Sequence, residues 1–326
     1  MSQKGVEHLS SILKGFKYFW DNYGESKPLV ALLGLFIVSS FASPAFLTRR
    51  NQEILLLQSA PAILLALGET LVILVGSIDL SVGSILGLSS MLAGMALGKW
   101  GYPTWLAVLI CLIVGLVLGT INGLLVAYGK IPSFIATLAM LVAARGSILI
   151  ISGGFPVGGL TGLRPFTSKL LGLPLMVWIA IALTFIVCIV TFKFKVGRRI
   201  YAVGGSDEAA YRFGINVKLV RFAVFVVSGL FAALAGLMIA ARLEMAYTWA
   251  GWGYELDAIA AAVVGGVSFT GGVGSPVGAV MGAYLLTGIT NILLLMEVDP
   301  YWQWVVKGII LCFAAIPLTK GLRFVR

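Results

Sequence analysis

KFKVGRRIYAVGGSDEAAYRFGINVKLVR, residues 193–221, is a charged island in an otherwise apolar chain. It holds Lys193, Lys195, Arg198, Arg199, Arg212, Lys218 and Arg221, seven of the 23 lysines and arginines. Positive charge concentrated between apolar runs marks a segment kept on the cytoplasmic side of a membrane. The centre of the island has the signature of a short capped helix. Ser206 follows two glycines as an N-cap, Asp207 and Glu208 suit the positive end of a helix dipole, and Gly214 stops the helix about two turns later. Such a helix on a cytoplasmic loop offers a handle to a soluble partner.

Composition outside the island sets the class. Of 326 residues, 60% are hydrophobic and only 11% charged, whereas a soluble domain carries about 25% charged residues. The chain reads as an all-α polytopic membrane protein. Its 40 glycines fit that reading, since helices in lipid associate by close backbone approach rather than by hydrophobic drive. Gly115/Gly119/Gly123, Gly83/Gly87 and Gly274/Gly278/Gly282 form small-residue runs of this kind. The net charge of +10 sits mostly between apolar runs, where it sets orientation, so no nucleic-acid partner is expected. Cys111, Cys188 and Cys312 are isolated and the one histidine is His8, which offers neither a disulfide framework nor a metal site.

Ten spans are expected, at about 29–48, 52–75, 80–98, 103–127, 133–151, 174–192, 219–242, 255–268, 276–296 and 301–320, each long enough for a bilayer except the eighth, which is short and glycine-ended. Residues 1–28 lack the apolar core of a cleaved signal. Val6, Leu9, Leu13, Phe16 and Trp20 recur there at helical spacing, which predicts a cytoplasmic amphipathic helix lying on the inner leaflet. Residues 29–326 then form one permeation domain with a cytoplasmic loop at about 193–219. With both termini inside, the basic residues favour the inner segments. The outer ones hold only Arg49, Arg50, Lys99, Arg164, Lys169 and Arg242. SVGSILG (81–87) is echoed by PVGAVMG (276–282) at the start of two spans of the same direction, a weak sign of two related halves.

Polar residues inside spans carry the next expectations. Glu69 within a transmembrane helix costs roughly 2.5 to 3.5 kcal/mol and needs a cavity or a partner. Asn51, Gln58 and Glu69 share a helix face; Tyr284, Thr287 and Asn291 form a second stripe, and Asn122 adds a polar group on the fourth span. These residues either line a translocation path or glue helices together by hydrogen bonds. Arg145 is a candidate partner of Glu69. In GSIDLSVGS (76–84), Asp79 or Ser81 caps the third span or takes part in gating. Tyr247, Trp249, Trp252 and Tyr254 are placed at the outer rim, ahead of Glu255 and Asp257, which complement a helix N-terminus or contribute to a gate. The rim reads as an aromatic belt, or as a lip that meets a polar ligand or its carrier. No Gly-x4-Gly-Lys-Ser/Thr loop, His-Glu-x-x-His pair or Gly-x-Ser-x-Gly turn is present, so neither nucleotide hydrolysis by a P-loop nor intramembrane catalysis is expected.

Four stretches in order, GSIDLSVGS, YAVGGSDEAAYRFGINV, YELDAIAAAVVGGVSFTGGVGSPVGAVMGA and YWQWVVKGIILCFA, resemble the permease subunit of bacterial ABC importers of the ribose, xylose, arabinose and galactose type. The resemblance runs over nearly the whole chain from about residue 30. It implies a ten-helix permease of the bacterial inner membrane, paired with a second copy or a paralogue. It also implies cytosolic ATPase subunits that hold ATP and Mg, and a periplasmic or lipoprotein sugar-binding protein. The chain itself would bind no cofactor. Gly205, Ser206, Asp207, Glu208, Ala209, Ala210, Arg212 and Gly214 are similar to the coupling helix that docks on the ATPase. The sequence departs from the family pattern at Ser206, Ser77, Val267 and Phe269, and above all at Glu69, where an apolar Met is more usual. On this reading Arg49, Arg50, Arg164, Lys169 and Arg242 are candidates for docking the binding protein. The alternatives are a permease for another small polar solute, or a carrier that couples ions through Glu69.

Overall fold

The computed structural model describes residues 27–299 and 301–309. The amphipathic N-terminal segment lies outside the described residues except for Lys27 and Pro28, as does the tenth expected span beyond residue 309. The described chain is mostly helical. In order it forms α1 (Lys27–Ala42), α2 (Arg49–Leu74), α3 (Val82–Gly98), α4 (Thr104–Ala127), α5 (Ser133–Ser152), α6 (Leu175–Lys193), α7 (Lys195–Gly205), α8 (Asp207–Arg212), α9 (Val217–Leu243), α10 (Tyr254–Val264) and α11 (Pro276–Leu295). Residues 301–309 are also helical.

Six of these helices, α2, α4, α5, α6, α9 and α11, are long and apolar enough to cross a bilayer; α1 and α3 are apolar but shorter. The protein is therefore an all-α multi-pass membrane protein. α2 and α9 are mostly buried and form the centre, while α4, α5 and α6 expose most of their surface. The exposed faces of α4, α5 and α6 are apolar, as surfaces that meet lipid must be.

The glycine runs are where the centre closes. A side chain at Gly119 would strike the Phe225 carbonyl and Gly229, and one at Gly115 would strike Gly229 and Ala233, so α4 and α9 touch backbone to backbone. Gly278 and Gly282 meet Gly265 and Ala261 in the same way, pressing α11 onto α10. These contacts are the close approach that membrane helices use in place of hydrophobic drive.

The bundle has two ends. At one, the end of α2 meets α7 and the loop after α10: the Gly272 amide donates to the Leu74 carbonyl at 2.9 Å, and Tyr201 Oη donates to the Gly274 carbonyl at 2.8 Å. At the other, two-residue strands β1 (Val157–Gly158) and β4 (Met245–Ala246) pair antiparallel, and β2 (Lys169–Leu170) forms a hairpin with β3 (Leu173–Pro174).

Two stretches leave the helical pattern inside the bundle. Residues 75–81 climb back beside α2 before α3 begins. Residues 247–253 descend as turns beside α3, from Ala246 against Gly94 to Gly251 against Gly83, before α10 begins. The expected eighth span is thus a half-length helix of 11 residues joined to a non-helical descent.

Candidate functional site

Three sites gather the polar residues of the chain. The first is the island. Ser206 Oγ accepts the Ala209 amide at 3.2 Å, the expected N-cap bond. Asp207 accepts Arg221 Nη2 on both oxygens, at 3.0 and 2.8 Å, which ties α8 to the first turns of α9. Glu208 pairs with Arg212 one turn later. Gly214 adopts φ +76° and closes the helix, with the Ile215 amide donating to the Ala210 carbonyl at 3.0 Å. Only Ala210 of α8 is buried; Tyr211 and Phe213 stand 73% and 87% exposed. Two large exposed rings on a capped, braced helix make a contact surface. The helix also fronts a cavity of about 1000 Å³ lined by Val126, Lys130, Ser133, Tyr211, Ile215 and Lys218 among others.

α7 was not foreseen. Its buried residues Gly197, Ile200 and Val203 recur every three positions along one face, with Arg198 and Arg199 exposed. That spacing is legible in the sequence once the charges are set aside. Gly204 lies so close to the Leu74 carbonyl and the Gly272 amide that no side chain fits, and this seats the island on the end of α2.

The second site is a sealed knot. Glu69, Asp79, Ser81 and Asn122 are all fully buried and belong to one network. Glu69 Oε1 accepts the Asp79 amide at 3.1 Å. Asp79 Oδ1 accepts the Ser81 amide at 2.9 Å and its hydroxyl at 2.5 Å, and Oδ2 accepts Ser228 Oγ at 3.0 Å. Asn122 Nδ2 donates to Ser81 Oγ at 2.8 Å. Ser81 occupies the N-cap position of α3 but makes no side-chain cap bond; Asp79 instead holds the Ser81 amide. The knot joins α2, α3, α4 and α9 around residues 75–81. Glu69 Oε2 and Asn122 Oδ1 are left without partners.

Arg145, a candidate partner of Glu69, is engaged elsewhere. Arg145 Nη1 donates to the Ala250 carbonyl at 2.7 Å, and its guanidinium lies 5.6 Å from the Trp252 ring centroid. Arg145 lies against Gly87 of α3 beside the descending segment, whereas Glu69 is enclosed in the knot, so the two residues serve different sites.

That segment is the third site, and it corrects a second expectation. Tyr247, Trp249, Trp252 and Tyr254 do not share one level: Tyr247 starts at the end that carries β4, and the others follow the descent beside α3, placed by contacts at Gly94, Gly87 and Gly83. Gly251 and Gly253, at φ +74° and +78°, make the turns. Trp249 and Trp252 pack edge to face, centroids 5.3 Å apart, and both are half exposed. Glu255 and Asp257 lie in the first turn of α10 as expected. Asp257 accepts Lys307 Nζ at 2.8 Å, beside a cavity of about 110 Å³ that Gln58 and Thr287 also line.

The remaining candidates separate. Asn51 and Asn291 exchange side-chain hydrogen bonds at 2.9 and 3.0 Å, buried between α2 and α11. Tyr284 stacks on Phe36 of α1. The second stripe therefore splits among a helix contact, a cavity and an asparagine pair. Of the basic residues at the end opposite the island, Arg49 and Lys169 both bind Glu53 and Arg164 makes a two-pronged pair with Glu244. The Arg164 hydrogen bonds hold the Glu244 carboxyl below its ordinary value. Arg50 and Arg242 have no ion-pair partner among the described residues.

Residues 51–315 match the model of the family described as branched-chain amino acid transport system / permease component. The chain belongs to this permease family. It is similar to the ribose import permease protein RbsC of Escherichia coli K12, 38% identical over 93% of this chain and 97% of the relative. The corresponding protein of Haemophilus influenzae is 36% identical over 90% and 92%. The autoinducer 2 import system permease protein LsrC of Escherichia coli O157:H7 is 37% identical over 90% and 86%. No solved structure matches this chain. Membership makes the chain a transport component.

Proposed function

We propose that the chain is the permease subunit of an ATP-binding-cassette importer for a monosaccharide, delivered by a binding protein and driven by separate ATPase subunits. The observation that carries this reading is near-full-length similarity to ribose import permeases. α8 is the coupling element. Its cap, its Arg221 brace and the seat of Gly204 on α2 make it a stiff lever. A push on Tyr211 and Phe213 is then transmitted to the end of α2, five residues beyond Glu69 and the knot. The island end is cytoplasmic on this reading, as the positive charge requires, and a second copy or a paralogue completes the path.

Closure of an ATPase dimer drives two such levers together and alternates access to the path. Arg50 and Arg242 are the docking candidates without an ion pair among the described residues; Arg164 is paired with Glu244, and Arg49 and Lys169 share the single carboxylate of Glu53. A signalling solute is the second reading, favoured by the LsrC relative. Glu69 is enclosed among the described residues and lines neither of the two cavities above, which speaks against ion coupling through it.

The test is ATPase stimulation and uptake in the reconstituted complex across a panel of monosaccharides. The variant Asp207→Lys with Gly214→Pro removes the Arg221 brace and forbids the φ of +76° at the helix end. It is expected to insert normally and to lose sugar-stimulated ATPase. Normal stimulation in that variant ends the coupling assignment.

A further inference from the structure

We propose that the descending segment 247–254, together with Arg145 and Glu255, is a binding station for an uncharged cyclic sugar part-way across the membrane. The proposal rests on the permease reading above and names the wall of the path that the sugar touches.

Depth comes from two measures. From Gly94, beside Ala246, to Gly83, beside Gly251 and Glu255, α3 advances 11 residues, roughly 16 Å at 1.5 Å per residue. From Tyr254 to the end of α10 is another 11 residues, again roughly 16 Å toward the island end. The hydrocarbon layer is about 30 Å thick. Trp252 and Glu255 therefore lie near its middle.

At that depth the segment is turns rather than helix, and Trp249 and Trp252 are half exposed on it. Irregular backbone at membrane depth occurs only where protein buries it or where it lines a water-filled cavity. The half-buried charges of Arg145 and Glu255 beside it carry the same restriction. Thr248, Ala250 and Gly251 are buried by protein, and the exposed face that carries Trp249 and Trp252 is assigned to the water-filled path rather than to lipid.

The chemistry of the wall selects the ligand class. Two tryptophans set edge to face offer flat apolar surface for the C–H faces of a sugar ring. Arg145 spends one guanidinium nitrogen on the Ala250 carbonyl and rests against Trp252, which leaves other N–H donors for hydroxyl oxygens. Glu255 Oε2 is buried and unpartnered against Gly83, directly beneath this wall. Gly83 and Gly87 are one helical turn apart and hold Glu255 and Arg145 respectively. Their opposite charges cancel, so the wall favours a neutral polyol over a phosphorylated sugar.

Trp249→Cys, in a chain whose Cys111, Cys188 and Cys312 are replaced by alanine and assembled with its ATPase, tests the wall directly. A charged, water-soluble thiol reagent is expected to label it, and a monosaccharide imported by the wild-type complex to slow labelling. Labelling by lipid-soluble reagents only, or no protection by that sugar, overturns the station. Protection by a branched-chain amino acid in its place overturns the sugar class. In uptake assays Trp252→Leu is expected to lower the initial rate about tenfold and Trp252→Phe no more than about threefold. Unchanged uptake by Trp252→Leu overturns the station; if that variant does not fold, the labelling result decides. A wild-type complex that imports no monosaccharide removes the permease reading itself, a different outcome from either.

Discussion

The knot at Asp79 and the wall at Trp252 both place acidic side chains inside the bundle, and they are built in opposite ways. Around Asp79 every side chain is enclosed, and the carboxylate takes three donors from Ser81 and Ser228. Around Trp252 the rings are half exposed, Arg145 has donors to spare, and the backbone is turned rather than helical. A polar residue in a span is therefore no marker of a path by itself. What separates glue from path is whether the polar groups are consumed by their neighbours and whether the face they share is open.

Removing the centre of the knot gives the sharpest contrast. Asp79→Ala strips the acceptor from the Ser81 amide, the Ser81 hydroxyl and the Ser228 hydroxyl together, and each buried unmet donor costs about 1–3 kcal/mol. The expected loss is roughly 3 kcal/mol or more, seen as a collapse of the thermal unfolding midpoint of the purified protein. Trp252→Leu, with its half-exposed ring, is expected to alter uptake while moving that midpoint little. Equal destabilisation by both variants breaks the distinction between sealed and open sites.

Gly119→Leu comes next. It forces a branched side chain against the Phe225 carbonyl and Gly229 where α4 and α9 touch, and overpacking of this kind costs about 1–3 kcal/mol. Reduced yield of folded protein and a lower midpoint are expected, whereas Gly146→Leu, on an α5 position with open space around it, is expected to leave the midpoint unchanged. Comparable losses from both would remove the packing role assigned to the small-residue run.

Those two residues show how much the sequence could say. Gly115, Gly119 and Gly123 are spaced by one helical turn, and local spacing suffices to predict a close contact; the same holds for Ser206 and Gly214, whose cap and stop depend on residues within a few positions. The descent was not legible in that way. Its aromatic residues look like an interfacial belt because hydropathy records composition, not depth, and only the contacts with Gly83, Gly87 and Gly94 of α3 place it. The glycines at 251 and 253, both at positive φ, were the available signal that no continuous helix crosses there. Arg145 escaped for a related reason. Its partners are a carbonyl and a ring, and counting opposite charges finds neither.

Glu69 supplies the smallest and most discriminating comparison. Its Oε1 accepts the Asp79 amide and its Oε2 has no partner, so one oxygen carries the structural role. Glu69→Gln keeps an acceptor in that place and is expected to lower the unfolding midpoint less than loss of the acceptor does, with uptake unchanged. Glu69→Met removes the acceptor, leaves the Asp79 amide unmet, and is expected to cost about 1–3 kcal/mol. The order Met worse than Gln, with the same substrate profile in both, places Glu69 in the knot. A changed profile in Glu69→Gln at unchanged stability would instead put this carboxyl on the path, and the line between the two sites would have to be redrawn through α2.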